Sequence, residues 1–228
     1  MTLAQAISEF LADIESSRYA RHSASLQILS SYFSSDRDLS ELTPAKLRDF
    51  LAHWYVERMF GSGSIKSEDA NTAGQSIDSL VEFFKWVKQR EVASAEDSLA
   101  VLNELRATVP RALAIAGDLA SWTGSQRGAF NFPEFLTSFE EGGRSEYDID
   151  TPGDVGALEG YFRVVRVEGS MVEAEELTSE DRIWPIIFPA EIAASLEAKY
   201  IINLELVRAP EGWKIVDCGV VYPPGTEI

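Results

Sequence analysis

The sequence predicts an α+β protein of two domains, a helical N-terminal part followed by a small β-barrel. Two observations carry this expectation. Apolar residues recur at helical spacing through residue 120, and after Leu158 the period changes from 3.6 to 2. Between them lies an aperiodic acidic stretch, "EEGGRSEYDIDTPGD". The expected divisions are 1–92, a four-helix bundle; 93–120, additional helices; 121–157, an irregular acidic linker; and 158–228, the barrel.

Each element has its own signal. In the first helix Leu3, Ile7, Phe10, Leu11 and Ile14 share one face. The second runs from about Ala20 to Ser34, with Leu26, Leu29, Tyr32 and Phe33 as its stripe. The third has a strong start signal: Thr43 caps, Pro44 occupies the first helical position, and Leu47, Phe50, Leu51 and Trp54 follow. "GSGS" at Gly61–Ser64 breaks the chain. In "NTAGQSIDSLVEFFKWVKQRE", Asn71 is the expected cap of the fourth helix, and Ile77, Leu80, Val81, Phe84 and Val87 are its stripe. Trp54 and Phe84 are both expected in the core. Beyond it, Leu99, Leu102, Leu105 and Val109 predict a further helix, and Pro110 is expected to open another through Leu113, Ile115 and Leu119.

The C-terminal part reads as strands. "GYFRVVRVEGSMVEAEEL" is a hairpin turning at Gly169-Ser170, and "RIWPIIFP" is a short third strand. "AEIAASLEAK" predicts a helix of about ten residues, and "YIINLELVRAPEGWKIVDCGVVYP" a second hairpin turning at Pro210-Glu211-Gly212. The order strand, strand, strand, helix, strand, strand is that of the OB-fold, a five-stranded barrel expected here to be antiparallel. An SH3-like or other small barrel is the alternative.

Charge is unevenly divided. The net charge is −17; residues 1–92 carry 10 Lys+Arg against 13 Asp+Glu, while residues 93–228 carry 10 against 24. Acidity on that scale favours solubility and repels phosphate backbones. Any nucleic-acid contact is therefore expected in the first half. No apolar run approaches the ~20 residues of a membrane span. "MTLAQAISEFLADIESS" has acids in its apolar pattern and no basic leader, so a cytoplasmic location is expected.

Catalytic groups are sparse, and an enzyme is not expected. His22 and His53 have no Glu or Cys at metal-ligand spacing, and His53 beside Trp54 reads as a packed or partly exposed histidine. Cys218 lies in an apolar strand pattern without a basic partner. Asp148, Asp150 and Asp154 in "DIDTPGD" fall near calcium-loop spacing but lack the terminal Glu and central glycine. No phosphate-binding glycine loop or nucleophile elbow occurs. No metal or cofactor is expected. On the barrel, Glu173, Glu175 and Glu176 would repel a phosphate chain, and Trp184 and Phe188 read as core. Trp122, Phe130, Phe132, Phe135 and Phe139 crowd the aperiodic region and are expected to pack across the domain junction.

The order "ISEFL…SRYARHSASLQILSSYF…LTPAKLRDFL…TAGQSIDSLVEFFKWV" resembles the N-terminal core-binding domain of tyrosine recombinases and phage integrases, a four-helix, SAM-like module. The resemblance covers residues 2–92. It implies DNA contacts from the second and fourth helices. By position these are Arg18, Arg21 and His22, then Ser67, Asn71, Thr72 and Gln75; the basic residues Lys85 and Lys88 are further candidate nucleic-acid contacts. Where the family carries basic residues, this chain has Val81 and Glu82, and Asp78 adds an acid. No histidine follows His53, so no recombinase catalytic domain is expected in residues 93–228. Two readings follow, of which the sequence favours the first, with the second as the alternative. One is an integrase-like accessory protein touching double-stranded DNA weakly and salt-sensitively. The other is a protein-interaction or scaffold module, with a protein partner through the barrel. Their discriminator is whether Lys85, Lys88 and Arg90 join Arg18 and Arg21 on one surface.

Overall fold

A computed structural model describes residues 1–61, 67–127 and 156–228. The expectations for Phe130, Phe132, Phe135, Phe139, Asp148, Asp150 and Asp154 lie outside these residues. The chain divides into two compact units, Met1–Ala114 with Tyr222–Ile228, and Ile115–Val221.

The first unit is helical. Helix α1, Leu3–Asp13, is opened by a capping box: Thr2 Oγ1 accepts from Gln5 N, and the Gln5 side chain accepts from Thr2 N. Helix α2 spans Ser16–Phe33. Thr43 caps α3, Pro44–Arg48, with Pro44 in the first turn. The helix continues without a break through a π-turn at Asp49–Trp54 into α4, Tyr55–Gly61.

That π-turn corrects one expectation. A π-turn takes in an extra residue, so the buried face moves on by one position. Tyr55 and Val56 are buried at 1% and 0%, while Trp54 is only half-buried, stacked on Phe50 with the Arg58 guanidinium over its ring. Phe84, by contrast, is a core residue.

Helix α5, Ser67–Gln89, begins before Asn71, which therefore lies inside the helix and is not its cap. Its buried stripe is Ile77, Leu80, Val81, Phe84 and Val87, flanked by Phe83. Helix α6 is one continuous element, Glu96–Arg127, with Pro110 inside it. The expected new helix at Pro110 does not form, for a physical reason. The apolar period runs unbroken through the proline, and Leu105, Val109, Ala112, Leu113 and Ala116 are all buried. That burial offsets the cost of an interior proline, about 3 kcal/mol. The boundary between the two units falls within α6, between Ala114 and Ile115.

The chain's last residues belong to the helical unit, where Tyr222 Oη donates to Glu57 Oε1 at 3.0 Å and its ring lies against His53.

The second unit holds five strands: β1 Ala157–Glu168, β2 Met171–Glu176, β3 Arg182–Ile187, β4 Ile201–Ala209 and β5 Gly212–Tyr222. They close in the order β1-β2-β3-β5-β4. Strand β1 pairs antiparallel with β2 through its second half and with β4 through its first. β3 and β5 pair in parallel at Ile186↔Trp213 and Ile187↔Lys214, so the sheet is mixed rather than wholly antiparallel. The helix between β3 and β4, α7, covers only Ala190–Ala193, shorter than the ten residues expected. Turns follow it at residues 194–195 and 198–199. Phe162, Val172, Ile186, Ile202 and Leu204 fill the interior.

Candidate functional site

Arg18, Arg21 and His22 fall at positions i, i+3 and i+4 of α2, so they share one face. The structure brings all three to a single carboxylate, Glu82 of α5. Arg18 Nη2 donates to Glu82 Oε2, Arg21 Nη2 lies 3.5 Å from Oε1, and His22 Nε2 lies 3.3 Å from Oε2. The two arginines are 43% and 41% exposed and Glu82 34% exposed, whereas His22 is fully buried. The His22 ring meets Phe10 edge-on.

Both His22 nitrogens lack a hydrogen bond, because the 3.3 Å approach to Glu82 is close but not aligned. Burial pushes the His22 pKa down; Glu82 opposes this, and Arg21 and Arg18 reinforce it. The imidazole is thus held neutral beneath an exposed ion cluster.

The other residues expected to touch DNA do not join this cluster. Asn71, Thr72 and Gln75 are exposed. From Asn71 to Glu82 is eleven residues, about 16 Å along a helix axis. Ser67 is the first residue of α5. Lys85 is exposed, and Lys88 pairs with Glu96 at 3.0 Å. Arg90 pairs with Asp13 and covers the Trp86 ring. On the α2 and α5 faces, Arg18, Arg21, Lys88 and Arg90 each meet an acid rather than merging into a continuous basic surface.

This neutralisation was hidden from sequence reading. Glu82 was visible only as an acid where the core-binding family carries basic residues. Its partners are 61 and 64 residues away in the chain. The i, i+3, i+4 spacing of Arg18, Arg21 and His22 was the one available signal that a single group could collect all three.

Elsewhere the helical unit carries an open groove of about 510 Å³ between α1 and α2, lined among others by Ile7, Leu11, Ala12, Tyr19 and Gln27, with no charged residue. Tyr19 is 49% exposed. His53 is partly exposed, with Nδ1 3.4 Å from Asp49 and Nε2 3.3 Å from Glu57. Among the described residues, no group of three His, Cys, Asp or Glu could hold a metal ion. No helix among them is long and apolar enough to cross a membrane.

On the sheet unit, the glutamates of β2 are matched rather than bare. Arg163 donates to Glu175 at 3.0 Å, and Glu173 accepts from Arg166 and from Arg182. Glu176 accepts from the backbone of Thr178 and Ser179. Trp184 is half-buried with the Arg166 guanidinium 4.9 Å from its ring centre, so it is not the core residue expected; Phe188 is buried. Cys218 is half-buried, 3.8 Å from Thr123 Oγ1.

No family model, curated protein or solved structure matches this chain.

Proposed function

We propose that the chain is a non-catalytic protein-interaction module that works without nucleic acid. The observation carrying this reading is the pairing of cations on α2 and α5. Arg18 and Arg21 face Glu82, Lys88 faces Glu96, and Arg90 faces Asp13. A phosphate chain would have to displace these carboxylates one by one, against a protein of net charge −17. Weak DNA association of the integrase-like kind draws on the same cations, and the pairing weakens it.

The strand order, the parallel β3–β5 pairing and the position of α7 between β3 and β4 support an OB-like barrel for the second unit. Its β1–β2–β3 face is laced with Arg–Glu pairs, which suits a protein partner better than a polyanion. The core-binding likeness of residues 2–92 is a proposal about fold alone, and fold does not fix function. A cytoplasmic location belongs to the same reading.

The test is a fluorescence-anisotropy titration of the full chain with labelled duplex DNA at low ionic strength. No saturable binding is expected, and proteins cross-linked to the full chain should still be recovered after nuclease treatment. Salt-sensitive DNA binding that vanishes on charge reversal of Arg18 and Arg21 would overturn this reading in favour of a DNA-associated accessory protein.

A further inference from the structure

The α2 cluster has more donor capacity than Glu82 uses. Arg18, Arg21 and Glu82 together carry one excess positive charge. Below them His22 has no exposed surface, yet neither ring nitrogen has a hydrogen-bond partner. A neutral imidazole carries one N–H and one acceptor nitrogen, and burying both unpaired is costly. The upper edge is open, since both arginines and Glu82 are at least one-third exposed. Guanidinium groups recognise carboxylates through paired, directional hydrogen bonds, so Arg18 and Arg21 suit such a group.

We propose that Glu82 is the internal occupant of a carboxylate-binding site, and that an acidic side chain of a partner protein takes its place between Arg18, Arg21 and His22. This deepens the protein-interaction reading and rests on it. A carboxylate is favoured over a nucleic-acid phosphate because the site already receives a carboxylate. A single acid in a weakly charged segment also meets less repulsion from the −17 chain than a polyanion does. In this arrangement Glu82 is a gate. It pairs with both arginines when no partner is present and swings to solvent when one binds.

The test compares the full chain with its Glu82→Gln variant, which keeps the shape of the side chain and removes its charge. Acetate is the probe, titrated at constant ionic strength and followed by NMR at the Arg18 and Arg21 side chains and the His22 ring. Saturable shifts at all three are expected in Glu82→Gln, with a midpoint at least tenfold below that of the unmodified chain. Adding Arg21→Gln should remove the gain. Should Glu82→Gln lose its cooperative melt, Glu82→Asp serves instead; it withdraws the charge by one methylene and should give a smaller gain of the same sign.

Equal midpoints in variant and parent, or shifts indifferent to Arg21→Gln, overturn the proposal. So does a preference of Glu82→Gln for short duplex DNA or inorganic phosphate over acetate. Partner recovery that survives nuclease but ignores Glu82→Gln sinks the gate and leaves the interaction reading standing. Recovery lost on nuclease treatment sinks the interaction reading itself.

Discussion

Trp86 Nε1 donates to Asp13 Oδ2 at 2.8 Å, tying the last residue of α1 to the closing turns of α5. Arg90 Nη2 donates to the same oxygen at 2.5 Å. One carboxylate therefore holds together helix ends that lie 73 residues apart in the chain. The Trp86 hydrogen bond first, and then that from Arg90, hold the Asp13 pKa below its ordinary value. A depressed acid contributes stability above its unfolded pKa and loses it as pH falls through the folded value. Acidification from pH 7 to about pH 3 should thus weaken the helical unit partly through Asp13. Asp13→Asn should lower the melting temperature at neutral pH and flatten its fall with acid. An unchanged pH dependence would count against the tie.

His22 gives a second pH signature at a different range. Its pKa is lowered chiefly by burial, so between the folded value and its ordinary 6.5 the unfolded chain binds the proton more readily. Stability is therefore full above pH 6.5 and declines as pH falls below it. The ring signals of His22 should titrate below 6.5, and those signals should broaden or split as unfolding begins. A His22 midpoint at or above 6.5 would show that Glu82 outweighs burial, contrary to the packing.

The π-turn predicts an ordering of two aromatic truncations. Phe84 is 3% exposed, and Phe84→Ala should cost about 3–5 kcal/mol, as buried aromatic deletions do. Trp54 lies half out of the core, so Trp54→Ala should cost less, below about 3 kcal/mol. Urea denaturation of the full chain, followed by far-UV circular dichroism, measures both. The reverse ordering would return Trp54 to the core and discount the register shift.

In the sheet unit, Gly219 of β5 lies against Asn203 of β4. A Cβ at Gly219 would sit 2.3 Å from Asn203 Oδ1, 3.1 Å from its Cγ and 3.2 Å from its Cβ. The whole Asn203 side chain would have to move, breaking its Nδ2 hydrogen bond to Gly160 O. Gly219→Ala should cost about 1–3 kcal/mol, the range for overpacking. In Gly169→Ala the added methyl group meets no neighbour, but φ is +62°, so the cost there is backbone strain. A double variant, Gly219→Ala with Asn203→Ala, should recover part of the loss if the clash is the cause.

Local chemistry explains what was legible in the sequence. Period, caps and turn residues act within a few positions of one another. They placed the helices, the Thr43–Pro44 start, both hairpins and the buried stripe of α5. The same reasoning missed where one local signal was outvoted by burial or by a change of helix geometry. Burial along α6 overrode Pro110, helix α5 started at Ser67 ahead of its apparent cap at Asn71, and the π-turn moved burial from Trp54 to Tyr55.

By itself the sequence determined the change from helices to strands, the uneven charge and the absence of any histidine after His53, because these are properties of composition and short-range pattern. Only the tertiary structure decided what Arg18 and Arg21 meet. Ion pairing depends on distances of a few ångströms, and packing of α5 against α2 brings Glu82 to both arginines from more than 60 residues away. It also decided the parallel pairing of β3 with β5 and the return of Tyr222 to Glu57. Hydrophobic period marks which side of a strand or helix is buried. It carries no record of which distant segment does the burying.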